Sequence, residues 1–328
     1  MSDGSDFDED DVSGEQEEGE HLEENEEELP EKPLIQEMIP ECLSLLCKIG
    51  TGLAHAYVRL DCHQRDLTDI EHIKKFIHVR YIDISGNLLK DISSLNHLTH
   101  LLTLNTSKNN LTSAKLDALP YLQIADFSGN KITSTEGIEH PQLEKLNLNS
   151  NQITQVTGLY PKILSNLHRL ELRANRLQDT TGIDLPNLRE LYLAGNGLKK
   201  IEGLENLVNL EKLHLRDNQI EKLDGFSETM KKLQYVNLRS NTIANLKELN
   251  KMVCLPILRA LVLNENPCLE DDGYRIEVLI MLRRLERLDK EEYSDEDRAE
   301  AEDISEQRRQ EELLKENEAE DDNEENDG

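Results

Sequence analysis

Residues 143–153 read Leu-Glu-Lys-Leu-Asn-Leu-Asn-Ser-Asn-Gln-Ile, and residues 210–220 return to the same frame as Leu-Glu-Lys-Leu-His-Leu-Arg-Asp-Asn-Gln-Ile. Leu146 and Leu148, like Leu213 and Leu215, stand two apart around a polar residue, the alternation of a short strand with one buried face. Three positions on comes Asn151 or Asn218. Its amide both donates and accepts, and so can satisfy backbone groups of adjacent turns that burial would leave unpaired. Outward from these two stretches the slot recurs at Asn87, Asn109, Asn130, Asn175, Asn196, Asn241 and Asn266, with Arg65 in the first copy, at gaps of 21 to 25 residues. A period of that length marks a solenoid, in which each repeat packs only on its neighbours.

The frame is the leucine-rich-repeat pattern L-x-x-L-x-L-x-x-N-x-L. It predicts an α/β solenoid, a horseshoe of about ten repeats of about 22 residues, with a parallel sheet on the concave face and helical caps at both ends. The remainder of each repeat, such as residues 201–208, carries a second apolar set that closes the coil in short helical or 3₁₀ segments. At the front, Pro40, Cys42, Leu43, Leu45, Leu46 and the run 54–58 predict an amphipathic capping helix over 33–56, with Gly50-Thr51-Gly52 as a turn. At the back, Asn266-Pro267, Tyr274-Arg275, Val278, Leu282, Leu285 and Leu288 predict a closing helix within 266–289. Repeats and C-terminal cap thus occupy 57–289.

The formal charge of −30 is carried by the ends. Residues 1–30 hold 15 acids and no Lys or Arg, and residues 290–328 hold 19 acids against 5 bases, which leaves 33 acids and 32 bases in 31–289. A segment so acidic and so poor in apolar residues cannot offset its chain entropy by burial, so 1–32 is expected to be a disordered acidic tail. In 290–328, Arg298, Ala301, Ile304, Arg308, Leu313 and Leu314 among glutamates predict an acidic, partly helical tail that is solvated and frays past Glu318.

Several chemistries find no support. The five cysteines, Cys42, Cys47, Cys62, Cys254 and Cys268, are odd in number and scattered, and read as small core residues in place of a disulfide framework. Cys42, Cys47, Cys62 and His63 lack zinc-ligand spacing. Gly50-Thr51-Gly52 lacks the preceding strand and third glycine of a phosphate loop. No catalytic constellation, metal or cofactor is expected, and no small-molecule substrate. No basic start followed by an apolar run, and no membrane-length apolar stretch, is found, so a cytoplasmic chain without membrane association is expected. The acidic balance disfavours nucleic acid.

The repeat register assigns the concave face directly. Its outward positions put Asp61, Asp83 and Asp126 in the front half. Arg169, Arg173, Lys212, His214, Arg216 and Arg239 gather in the back half with Tyr192 and Tyr235. Tyr beside Arg is the pairing enriched at binding hot spots, so these eight residues are the candidate partner-binding site, suited to an acidic protein segment.

Five stretches carry a closer resemblance: Leu43-Ser44-Leu45-Leu46-Cys47-Lys48, Gly52-Leu53-Ala54-His55-Ala56-Tyr57-Val58, Arg65-Asp66-Leu67-Thr68-Asp69-Ile70, Leu213-His214-Leu215-Arg216-Asp217-Asn218-Gln219-Ile220 and Leu258-Arg259-Ala260-Leu261-Val262-Leu263. With the short repeats and the Asn-Pro, Tyr-Arg ending, the chain resembles the intracellular short-repeat leucine-rich-repeat proteins, and within them the radial-spoke members of motile cilia and sperm flagella. The resemblance implies a non-catalytic structural component of the axoneme, within the cytoskeleton, that binds other radial-spoke proteins and supports spoke assembly and motility. Two other readings stay open on the repeats alone: a regulatory subunit of a protein phosphatase, and an acidic nuclear histone-binding protein.

Overall fold

The computed structural model describes residues 30–270 and 273–326. Most of the expected disordered tail therefore lies outside the described residues. From Lys32 onward the chain already belongs to the solenoid. The Lys32 amide donates to Thr68 Oγ1 at 2.8 Å, Pro33 bridges to Asp69, and Leu34 is fully buried.

Among the described residues one sheet of thirteen strands runs in chain order. It opens with β1 (Leu43–Ile49) and β2 (Ala54–Asp61). The repeats then supply β3 (Tyr81–Asp83), β4 (Thr103–Asn105), β5 (Ile124–Asp126), β6 (Lys145–Asn147), β7 (Arg169–Glu171), β8 (Glu190–Tyr192), β9 (Lys212–His214), β10 (Tyr235–Asn237) and β11 (Ala260–Val262). It closes with β12 (Arg287–Leu288) and β13 (Glu291–Glu292). All neighbours from β2 to β12 pair in parallel. The middle residue of every repeat strand, Leu146 and Leu213 included, is buried. Each such leucine removed from water contributes about 1.5–3 kcal/mol, repeated along one continuous core.

The asparagine ladder holds the turns at fixed spacing. Asn151 Nδ2 donates to Phe127 O of the previous turn and to Leu148 O of its own, both at 3.0 Å, while its Oδ1 accepts from Ile132 N at 3.0 Å. The same geometry recurs from Asn87 to Asn266. At the last turn Asp289 has a different task. Its carboxylate accepts from Leu263 N and Asn264 N, just past β11, and from the Tyr274 hydroxyl; in the turn before, the amide equivalent to Leu263 N, that of Leu238, donates to the backbone carbonyl of Val262. Among the described residues 3₁₀ helices lie toward the two ends of the solenoid, at Glu71–Lys75, Ser93–His97, Leu246–Met252 and Pro267–Glu270, with plain turns between.

The front cap differs from the expected helix over 33–56. Only α1 (Ile39–Cys42) is helical; β1 and β2 form an antiparallel hairpin, and Gly50-Thr51-Gly52 is its turn. The physical reason lies in the turn: Leu-Ser-Leu-Leu-Cys-Lys-Ile at 43–49 pairs with the strand that carries Tyr57-Val58, and two glycines at φ 54° and 84° close the turn more readily than a helix can pass through them. At the back, α2 (Tyr274–Met281) closes the last turn, with Val278 and Leu279 buried. A further helix, α3 (Asp295–Asn326), continues through Glu318 where fraying was expected. Its base is docked on α2 as well as solvated: Arg308 forms a bidentate pair with Glu277, Arg298 donates to Leu285 O at 2.9 Å, and Ala301 is buried.

One buried polar residue is left half-satisfied. His140 is fully buried; its Nδ1 accepts from Leu119 N at 3.2 Å, so the proton sits on Nε2, which finds no partner among the described residues. Burial pushes the imidazole from 6.5 down to about 4. Folding therefore favours the neutral ring. The contribution is fully present above pH 6.5, erodes as the unfolded chain takes up the proton, and reaches a loss of about 3 kcal/mol below pH 4. His140→Gln keeps an acceptor for Leu119 N without the charge. We expect urea denaturation between pH 7 and pH 4 to show a shallower stability decline for the variant; identical slopes would assign the acid sensitivity to the carboxylates alone.

Candidate partner-binding face

The register places the outward residues of the strands in rows that cross the concave face. One row runs Arg59, Tyr81, Thr103, Ile124, Lys145, Arg169, Glu190, Lys212, Tyr235, Ala260; the next runs Asp61, Asp83, Asn105, Asp126, Asn147, Glu171, Tyr192, His214, Asn237, Val262. In the front half Asp61 and Asp83 are in-register neighbours, and beyond them acids alternate with amides. Asn105 donates to Asp83 at 3.2 Å and Asn147 to Asp126 at 3.1 Å, which offsets the charge of those two carboxylates along the row. His63 Nδ1 lies 2.5 Å from Asp61 Oδ1, and that carboxylate raises the pKa of the exposed imidazole.

The eight predicted residues are brought together on β7 to β10 and the loops that follow them. Tyr192 stacks on His214 with ring centroids 4.5 Å apart and planes 21° apart, and His214 continues to Tyr235 at 4.9 Å. Arg169 and Arg173 lie over the Tyr192 ring, 4.7 and 4.3 Å from its centroid. Cation–π contact of this kind holds a guanidinium in place where water is partly excluded.

Two features depart from the sequence reading. Tyr192, His214 and Tyr235 are only 3%, 5% and 7% exposed, so the aromatics form the floor of the face and do not project as anchors. The arginines are also compensated. Arg169 bonds Glu171 at 2.8 Å and Glu190 at 3.0 Å, Arg216 bonds Asp217 at 2.9 Å, and Arg239 bonds Glu265. Glu171 and Glu190 stand outward on the same strands as the register places them, and Asp217 and Glu265 lie on the loops beside them, so these arginines are paired within the face. Lys212 pairs in register between Glu190 and Tyr235 and stays partly exposed. The result is a recessed, charge-balanced surface whose donors point in fixed directions.

Comparison with known proteins fits the repeats. Models described as leucine-rich repeats match residues 141–198, 186–228 and 208–251. The chain is 56% identical over 317 residues to leucine-rich repeat-containing protein 23 of Mus musculus, covering 93% of each. It is 55% identical over 272 residues to the Bos taurus protein of that name, covering 83% of this chain and 80% of the relative. The Xenopus tropicalis protein is 52% identical over 280 residues, covering 85% and 80%. The chain belongs to the leucine-rich repeat-containing protein 23 family. The repeats and these relatives together make it a protein-binding leucine-rich-repeat protein. Among the described residues no cluster of three His, Cys, Asp or Glu is placed to hold a metal, and no helix is long and apolar enough to cross a membrane.

Proposed function

We propose that this chain is a non-catalytic structural component of axonemal radial spokes in motile cilia or sperm flagella, needed for spoke assembly and motility. Its back concave half is the surface that other spoke or axonemal proteins dock on. Membership of the leucine-rich repeat-containing protein 23 family together with the radial-spoke resemblance of residues 43–48, 52–58, 65–70, 213–220 and 258–263 supports the setting. The observation that carries the docking surface is the stacked row Tyr192–His214–Tyr235 under Arg169 and Arg173. A pre-ordered floor costs little side-chain entropy when a partner binds.

The test is graded salt extraction of purified motile axonemes, followed by cross-linking. Retention with the microtubule scaffold and cross-links to spoke subunits is expected. Recovery in the soluble fraction with a phosphatase, or in nuclei with histones, would replace this reading by one of those two. Arg216→Ala combined with Lys212→Glu alters two partly exposed groups and is expected to weaken spoke association about tenfold or more with the melting temperature within about 2 °C. Unchanged association in that variant would move the docking surface elsewhere on the solenoid.

A further inference from the structure

The repeat strands are three residues long, yet β1 and β2 run to seven and eight. Only the base of the hairpin is seated on the repeats, where Arg59, Leu60 and Asp61 pair with Tyr81, Ile82 and Asp83. The pairs Leu46–Tyr57, Cys47–Ala56, Lys48–His55 and Ile49–Ala54 therefore stand beyond the reach of the next strand. Leu45, at the root of this arm, holds a left-handed backbone with φ 58°, a conformation that costs a non-glycine residue energy. A two-stranded ribbon without further support is marginal in water.

The arm also ends the sheet. Among the described residues β1 is the first strand in the order and no strand pairs with its far side, the kind of edge that strand addition uses. Cross-strand partners share a face and side chains alternate, which puts Leu46, Lys48, His55, Tyr57 and Arg59 together on the side continuous with the concave surface. Leu46 and Tyr57 sit opposite each other at 57% and 47% exposure. Single exposed apolar residues are ordinary, whereas Ile35, Leu45, Leu46, Leu53 and Tyr57 all lie within one short stretch of chain. Residues 42–60 hold two bases and no acid in a chain of 67 acids and 37 bases.

We infer that the N-terminal hairpin is a docking arm that takes an extended, acidic segment of another protein as an added strand along β1, with Leu46 and Tyr57 as apolar contacts, Lys48 and Arg59 as charge contacts and His55 as a hydrogen-bonding contact. Charge complementarity selects this occupant. A second copy of the arm would set the same bases against each other, and a neutral strand would leave them unused.

The test is fluorescence anisotropy on the full chain with a labelled Glu-Val-Glu-Phe-Glu-Val-Glu peptide and its counterpart carrying Lys for Glu. The acidic peptide is expected to bind about tenfold or more tighter than the basic one. Lys48→Glu with Arg59→Glu is expected to weaken it about tenfold, and Leu46→Ser with Tyr57→Ser likewise. Hydrogen exchange at residues 46–49 should slow on binding. Because these side chains are exposed, an unchanged melt separates lost docking from lost folding. No binding, equal binding of both peptides, or binding that survives charge reversal overturns the inference. A dimer in sedimentation that Leu46→Ser dissolves also overturns it, since the arm would then pair with itself.

Discussion

Replacing Asn151 by Leu, nearly the same size, is expected to cost about 3–5 kcal/mol, one of the largest losses any single side chain in this solenoid can cause. The amide makes four hydrogen bonds, donating to Phe127 O, Leu148 O and Asn149 O and accepting from Ile132 N. These groups belong to two successive turns, and the residue is buried. Leucine can satisfy none of them, and each buried group left unpaired costs about 1–3 kcal/mol, part of which is recovered by small shifts of the turn. Asn196 makes the same bonds between Gly195 and Gly197, where it remains partly exposed and water can replace the amide. Asn196→Leu should therefore cost roughly half as much. Urea unfolding of both variants gives the comparison. Equal losses under about 1 kcal/mol would mean that the turns are held by leucine packing alone.

Much of this architecture is legible because each repeat has one answer for each slot. Leu146, Leu148 and Asn151 have no alternative placement that buries the first two and pairs the third, and nine such frames in register leave the strands no freedom. The same register put all eight candidate residues on one face. What it could not supply was their vertical position in that face. Tyr192 and Tyr235 have the right period to face outward, yet long neighbours such as Arg169, Arg173 and Glu190 close over Tyr192. That depends on rotamers, which spacing does not encode. The front cap is ambiguous in sequence for a related reason. An apolar run such as 43–49 has no periodicity that separates helix from strand, and the decisive signal was the pair of glycines at 50 and 52.

Glycines recur with a second period, and one of them makes the tightest glycine contact among the described residues. Gly137-Ile138, Gly158-Leu159, Gly182-Ile183, Gly203-Leu204 and Gly225-Phe226 recur 21 to 24 residues apart, opposite the strands. Buried threonines join the turns beside them, with Thr135 donating to Thr157 O and Thr180 to Glu202 O, both at 2.5 Å. At Gly182 the stacking is tightest. The backbone holds φ at 84°, and an added Cβ would lie 2.1 Å from Val156 O of the turn before. The obstacle is backbone and cannot rotate away. Gly203 has nearly the same conformation, φ 72°, but there the Cβ would meet Thr181 Cα at an ordinary 3.7 Å. The pair separates two costs that a single substitution confounds. Gly203→Ala carries only the left-handed strain, about 1–2 kcal/mol. Gly182→Ala adds the clash and requires two turns to move apart, for a total of roughly 4 kcal/mol or more. Thermal melts should place Gly182→Ala well below Gly203→Ala. Coincident melts would mean that adjacent turns slide freely at this edge, so that the asparagine ladder alone, and not close backbone stacking, sets the spacing of the solenoid.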